Sequence, residues 1–233
     1  MSEMKIIGHV LTDFADKFGV PRQSGIVDTK ARIVFEPEYR VPEAFRGLEG
    51  YSHLWIIWMF SKAVREKWSP TVRPPRLGGN KRLGVFATRS PFRPNPIGLS
   101  SVKLERIEFT RDLGPVLHIS GADMVSGTPV YDIKPYLAYT DSHSDAIGGF
   151  SDSVKFHTLE VVCDEALLCS LPESLRETLP GVLAHDPRPS YQHDDDRIYG
   201  FEYGGYEVRF TVSGDTLTVT EITSTLNPRS LKG

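Results

Sequence analysis

The chain has 233 residues, 39% of them apolar and 24% charged, and its formal net charge is −3. This composition is that of an ordinary globular protein with one large domain or two small ones. No apolar run approaches the roughly 18 residues of a membrane span, and no basic region precedes an apolar core at the N-terminus, so a cytoplasmic protein is expected. The seven histidines and two cysteines form no HExxH or CxxC pattern, so no metal site is expected.

Short β-branched runs separated by turn residues dominate the first 140 positions. They predict strands over 6–12, 32–36, 54–60, 84–88, 101–109 and 116–122. Within 101–109 the apolar alternation slips after Leu104, which predicts a bulge near Glu105 and Arg106. Long helical periodicity is missing, so a curved sheet or small barrel fits this part of the chain best.

The polar stretch 141–153 is interpreted as a linker. After it, the pattern predicts a strand over 154–162 and helices over 164–171 and 173–184. Strands over 197–203, 206–213 and 216–222 follow, with tight turns at 204–205 and 214–215. The sequence therefore predicts a mainly β protein, with a barrel-like domain at 1–145 and a small α+β domain at 146–233.

The charges are distributed unevenly. Thirteen acids and four basic residues lie between 141 and 202. Between 62 and 93, one acid (Glu66) stands against nine basic residues: Lys62, Arg65, Lys67, Arg73, Arg76, Lys81, Arg82, Arg89 and Arg93. A charge run is often only a solvated face, but here it is interleaved with Pro, Gly and aromatic residues, which favours an anion-binding role.

The segment 70–100, PTVRPPRLGGNKRLGVFATRSPFRPNPIGLS, contains six prolines. Proline fixes φ and lacks a donor, so this segment is expected to be irregular backbone held in place. Guanidinium groups presented from a stiff frame suit bidentate binding of carboxylate or phosphate. The alternative is a Pro-rich surface loop with solvated arginines.

Three further motifs carry weaker signals. In 121–136, GADMVSGTPVYDIKPY, the residues Asp132, Lys134 and Tyr136 alternate, and they form either a hydrogen-bonding set or an ordinary ion pair. In HDPRPSYQH, 185–193, Arg188 and Tyr191 are candidates to contact phosphate and to stack on a base. VPRQSG, 20–25, is a turn with little information of its own. No GxGxxG or GxxxxGK[ST] motif supports a nucleotide-binding site of the common types.

Taken together, these motifs and RGLEGYSHLWII (46–57) resemble the TrmO family of S-adenosylmethionine-dependent tRNA methyltransferases. The resemblance covers nearly the whole chain. It implies a single-sheet β-barrel N-terminal domain without a Rossmann fold, and a homodimer with the cofactor near the subunit interface. It also implies methyl transfer to the exocyclic nitrogen of threonylcarbamoyladenosine at tRNA position 37, in the anticodon stem-loop.

The resemblance also implies site residues by position. The cofactor pocket is expected to draw on Gln23, Ser24, Gly25, Phe60, Ser61, Arg89, Leu99, Ala122 and Asp123. Asp123 is expected to hold the cofactor's ammonium or ribose hydroxyls, and Arg89 its carboxylate. In the family pattern the position of Ser61 can carry His and that of Ser126 can carry Asp, so this chain departs from the pattern at both.

Two more groups of residues are expected to serve the RNA. Asn95, Asp132, Lys134 and Tyr136 are expected to contact the modified base as catalytic residues. Binding of tRNA is expected to use Arg73, Arg76, Lys81, Arg82, Arg93, Arg188 and Tyr191. A non-catalytic RNA-binding β-module is the main alternative, and a phosphoester hydrolase is a second one that lacks a visible ligand set.

Overall fold

The computed structural model describes residues 4–74, 81–153, 158–188, 194–195 and 197–225. Among these residues, the first part of the chain has eight strands: β1 (Gly8–Thr12), β2 (Lys30–Phe35), β3 (His53–Met59), β4 (Thr71–Val72), β5 (Leu83–Gly84), β6 (Ile97–Thr110), β7 (Gly114–Ser120) and β8 (Thr128–Pro135). Six of them close into a barrel in the order β1-β2-β7-β6-β3-β8, with every pair antiparallel. The predicted barrel is confirmed.

The alternation of apolar side chains explains why these strands close. In β3, Leu54, Ile56 and Trp58 are buried inside the barrel, whereas the residues between them lie on its outer face. The pairing of β6 with β7 shifts register between Leu104 and Arg106, which confirms the predicted bulge.

The predicted strand over 84–88 is wrong. Strand β5 ends at Gly84, and Val85–Ala87 form a 3-10 turn. Thr88 closes this turn, because its backbone N–H and its hydroxyl both donate to the Val85 carbonyl. The short strands β4 and β5 form a separate two-stranded sheet beside the barrel.

The second part is an α+β unit, as predicted. The helix α1 (Ala138–Asp141) follows β8 and is bonded to the barrel, because the Trp55 indole N–H donates to the Asp141 carboxylate at 2.9 Å. The α+β unit contains β9 (Glu160–Val162), α2 (Glu165–Cys169), α3 (Glu173–Ala184), β10 (Tyr199–Tyr203), β11 (Tyr206–Ser213) and β12 (Thr216–Ser224). Its sheet has the order β10-β11-β12-β9, with β9 parallel to β12. The stretch interpreted as a linker begins in α1 and ends in a 3-10 turn at Gly149–Ser153, and 154–157 of the predicted strand lie outside the described residues.

Residues 13–27, the segment between β1 and β2, join the two parts. Phe14 is fully buried in the core of the second part, with its ring centroid 5.2 Å from that of Tyr203. The Gly204 N–H donates to the Asp13 carbonyl at 2.8 Å. A Cβ on Gly19, whose φ is +86°, would lie 2.4 Å from the Phe201 ring, so only glycine fits there. The segment therefore connects two strands of the barrel, yet its side chains pack in the core of the α+β unit.

None of the helices in the described part of the chain has the length and apolar composition of a membrane span.

Candidate active site

The segment 23–25 is docked onto the chain that leaves the barrel after β7. The Gly25 N–H donates to the Gly121 carbonyl at 2.9 Å, and the Thr29 hydroxyl donates to the Ala122 carbonyl at 3.3 Å. Gly121 has a φ of +81°, and a Cβ there would lie 3.1 Å from the Gly25 Cα. Glycine at position 121 therefore allows the two backbones to approach, which places 23–25 against Ala122 and its neighbour Asp123.

Asp123 is the carboxylate at the centre of this site. Its side chain accepts a hydrogen bond from the Ser100 hydroxyl at 2.6 Å, and the backbone of Ser24 also bonds to it. Ser100 Oγ in turn accepts from the indole N–H of Trp58 at 2.9 Å. Burial raises the pKa of the Asp123 carboxyl, and the hydrogen bond from Ser100 and the charge of Arg89 act in the opposite direction. The result is a poorly hydrated carboxylate in a fixed orientation.

Arg89 reaches the same site from the proline-rich segment. Its guanidinium donates to Gln23 Oε1 at 2.5 Å, and the Gln23 amide nitrogen donates to the Arg22 carbonyl at 2.5 Å. A guanidinium carries five N–H donors, and Arg89 is exposed, so it retains donors for a further acceptor. A cation and a carboxylate are thus both bonded to segment 23–25.

Phe60 lies next to this group, and Leu99 lies apart from it. The Phe60 N–H donates to the Pro96 carbonyl at 2.9 Å, and its ring centroid is 4.2 Å from that of Trp58. Ser61 is exposed one residue later. Leu99 follows the buried Gly98 on β6, but its side chain lies on the outer face of the barrel and is 55% exposed. Bonds and charges therefore connect six of the predicted cofactor residues around Asp123, and Phe60 reaches them through Trp58, whereas Leu99 lies on a different face.

A large open cleft of about 2040 Å³ begins beside Gln23 and Arg89 and runs between the two parts of the chain. Its acidic lining residues among those described are Asp16 and Asp186. Its cationic lining residues are Lys17, Arg22, Lys62, Arg65, Arg73, Arg82, Arg89 and Arg188. This excess of cations is suited to a polyanion.

Among the residues predicted to bind tRNA, Arg73 and Arg82 line this cleft, and Lys81 is exposed next to Arg82. Arg76 and Tyr191 lie outside the described residues.

Arg188 also lines the cleft, but its guanidinium and that of Arg93 donate to the protein's own carboxylates and backbone. Arg188 is 7% exposed, and its guanidinium donates to the Asp186 carboxylate at 2.9 and 3.1 Å. Arg22 donates to the carbonyls of Asp186 and Arg188. Arg93 donates to the Thr88 carbonyl at 2.9 Å. These bonds brace Arg188 and tie the α+β unit to Arg22, the residue that precedes Gln23. The phosphate contact of Arg188 stays a prediction.

The residues predicted to be catalytic do not line the cleft among the described residues. Asp132 and Lys134 form an ion pair at 3.1 Å on the outer face of β8, with side chains 46% and 63% exposed. The Tyr136 ring lies 5.5 Å from that of Trp55. Asn95 is exposed in the turn before β6. The sequence left two alternatives for Asp132 and Lys134, a hydrogen-bonding set or an ordinary ion pair, and within one subunit the structure shows the ion pair.

Neither Ser100 nor Trp58 was among the residues that the sequence predicted for the cofactor pocket. Trp58 packs so closely over Gly98 that a Cβ there would lie 2.2 Å from its ring, and this fixes the indole N–H towards Ser100. The available signal was Ser100 itself, a serine at a position of β6 that faces the apolar interior of the barrel. In the described part of the chain, no cluster of three His, Cys, Asp or Glu side chains is placed to hold a metal ion.

The chain thus has a non-Rossmann architecture: a closed antiparallel barrel joined to an α+β unit, with a buried carboxylate and an arginine beside a cationic cleft. Two family models match the chain: tRNA-methyltransferase O N-terminal domain at residues 9–142, and TrmO C-terminal domain at residues 153–225. The chain belongs to the TrmO family, and the family expected from its motifs is confirmed.

Relatives agree with this assignment. A tRNA (adenine(37)-N6)-methyltransferase of Escherichia coli is 41% identical over 217 residues, covering 89% of this chain and 92% of the relative. One of the same name from Eikenella corrodens is 48% identical over 163 residues, covering 70% and 91%. The crystal structure of TrmO from Pseudomonas aeruginosa superposes with a TM-score of 0.77 at 31% identity, covering 96% of this chain and 100% of that one.

Proposed function

We propose that this chain is an S-adenosylmethionine-dependent tRNA methyltransferase that methylates the exocyclic N6 of adenosine 37. The observation that carries the proposal is the docking of segment 23–25 beside the Asp123 carboxylate, at the mouth of a cationic cleft. The names of the Escherichia coli and Eikenella corrodens relatives supply the reaction and its position. We place the reaction in the cytoplasm, where a tRNA substrate is available.

The pocket around Asp123 fits S-adenosylmethionine by its donor set. The Asp123 carboxylate suits an ammonium or ribose hydroxyls, and the Arg89 guanidinium suits a carboxylate. The backbone of 23–25 and of Ala122 supplies further polar groups. When bound, the cofactor supplies a methyl group on a positively charged sulfonium. The residues of the chain orient it and exclude water, and most of the acceleration comes from that positioning.

The finer substrate assignment is threonylcarbamoyladenosine. Its N6 is a poor nucleophile because the lone pair is delocalised into the adjacent carbonyl, so the reaction requires that this carbonyl be polarised or the nitrogen deprotonated. We assign this task to Asn95 and Lys134, with Asp132 and Tyr136 contacting the base. All four lie outside the cleft of their own subunit, so this assignment requires a second subunit.

The outer face of β3, β6 and β8 is suited to that second subunit. Leu99 pairs opposite Ile57, and Ile57 pairs opposite Asp132, so an apolar row continues directly into the polar residues. Ile97 and Leu99 are 36% and 55% exposed. We propose a homodimer through this face, which would bring Leu99 and the Asp132–Lys134 pair of one subunit towards the cofactor pocket of the other.

Mass spectrometry of nucleosides tests the proposal. The chain is incubated with S-adenosylmethionine and with tRNA from cells that make, or cannot make, threonylcarbamoyladenosine. With the wild-type chain, we expect a methylated nucleoside only in tRNA from cells that make threonylcarbamoyladenosine. Lys134→Ala or Asn95→Ala should greatly reduce the amount of this nucleoside and leave cofactor affinity unchanged. Salt-sensitive RNA binding without any calorimetric heat from S-adenosylmethionine would instead identify a non-catalytic RNA-binding module.

A further inference from the structure

Two large aromatic side chains lie on the surface beside the cationic cleft. Phe86 lines the cleft and is 72% exposed, and Trp68 is 49% exposed. Their rings are stacked, with centroids 6.2 Å apart and planes inclined by 25°. Large aromatic side chains are normally buried, so an exposed stacked pair at the edge of a functional cleft indicates a binding role.

The backbone holds this pair in place. Hydrogen bonds join Ser69 to Phe92 at 3.0 Å and Val85 to Pro70 at 3.0 Å, so the chain that carries Trp68 is tied to the chain that carries Phe86 on both sides. Thr71 pairs with Gly84 in the sheet of β4 and β5. Little conformational freedom therefore remains to be lost when a planar group stacks on the rings.

The surroundings of the pair are cationic. The guanidinium carbon of Arg93 lies 6.0 Å from the Phe86 ring centroid, and that of Arg65 lies 3.6 Å from the Phe92 ring centroid. Arg82 and Arg65 line the same cleft as Phe86. A flat apolar surface surrounded by cations, with no acid among the described contacts of these rings, matches one ligand class: unpaired bases of a nucleic acid, stacked on the rings while the phosphates meet the arginines.

We infer that Trp68 and Phe86 form a stacking platform for unpaired bases of the RNA loop that surrounds the methylated adenosine. The inference rests on the proposed function and deepens it, because it assigns recognition of the loop to aromatic residues of the barrel domain. A base-paired stem offers no exposed base face, so the platform selects single-stranded loops over duplex. Its sequence preference is low, because every base has a π-face.

Fluorescence and binding measurements test the platform on the full chain. The probes are an RNA hairpin with an anticodon-loop sequence and a fully paired duplex of the same stem, titrated over a range of salt concentrations. Phe86→Ala and Trp68→Ala are compared with Phe109→Ala, a matched control because Phe109 is 60% exposed and lines a different, smaller pocket. Phe86→Tyr is the conservative variant.

We expect each platform variant to weaken hairpin binding about tenfold without changing the slope of log K against log salt concentration. Phe86→Tyr and Phe109→Ala bind as the wild type does. The hairpin, and not the duplex, quenches the fluorescence of Trp68, measured as the signal lost in Trp68→Phe. Wild-type affinity for the hairpin in both alanine variants would overturn the platform and leave the methyltransferase standing. If the wild type bound neither RNA, the proposed function and the platform would fail together.

Discussion

Substitution of Phe14 tests whether residues 13–27, which include the predicted cofactor residues 23–25, depend for their position on packing in the α+β core. Phe14 is 0% exposed and packs against Tyr203, so Phe14→Ala should cost about 3–5 kcal/mol of unfolding free energy. For a chain of this length that corresponds to a fall of about 6–20 °C in Tm. Residues 13–27 also lose an anchor, and ordering even one backbone residue on binding costs about 1–2 kcal/mol, so affinity for S-adenosylmethionine should fall about tenfold.

The matched control is Leu217→Ala. Leu217 is equally buried in the same core but lies on β12, away from the segment. It should destabilise the chain by about 2–5 kcal/mol and leave cofactor affinity unchanged when measured well below its Tm. Denaturant unfolding gives the stability and calorimetric titration gives the affinity. If the two variants had equal cofactor affinity, the position of residues 13–27 would not depend on this core, and the reasoning would be refuted.

Three further variants give separate tests. Asp123→Asn keeps the shape of the side chain and removes its charge, so cofactor affinity should fall about tenfold or more. Because burial raises the pKa of Asp123, wild-type affinity should begin to fall at a higher pH than an ordinary aspartate would give, and the variant should show no such dependence in calorimetric titrations. Glu105 accepts from Ser120 at 2.7 Å and has a pKa lowered to about 2. Its stabilisation is therefore complete above the ordinary carboxyl pKa and is lost as the pH falls through 2. Glu105→Gln should cost about 1 kcal/mol at pH 7 and progressively less as the pH falls through 2 in urea unfolding. Arg73→Ala should weaken tRNA binding uniformly across sequences and lower the salt slope by about 1 in filter-binding assays, and an unchanged slope would remove Arg73 from the phosphate contacts.

Most of the fold followed from local patterns. Short apolar and β-branched runs bounded by turn residues predicted the barrel strands, and the phase slip after Leu104 predicted the bulge. The helix α3 and the turns at 204–205 and 214–215 were predicted because their signals are local. The strand over 84–88 was wrong because a hydroxyl at Thr88 closes a turn there, and apolar patterning does not detect that bond.

The site was less accessible to sequence reasoning, because its contacts join residues distant in the chain. The bond from Arg89 to Gln23 spans 66 positions, and no local pattern indicates that it forms. Arg188 belongs to a motif that resembles a phosphate contact, yet it is buried against Asp186. Burial of Phe14 outside its own barrel is likewise a property of tertiary packing, so sequence alone did not predict that residues 13–27 connect the two units.

A crystal structure of the chain grown with S-adenosylmethionine tests the central claim most directly. We predict density for the cofactor where segment 23–25 meets residues 121–123, with its ammonium or ribose hydroxyls on Asp123 and its carboxylate on Arg89. Density for the cofactor at any site that leaves Asp123 and Arg89 without a contact to it would contradict the account.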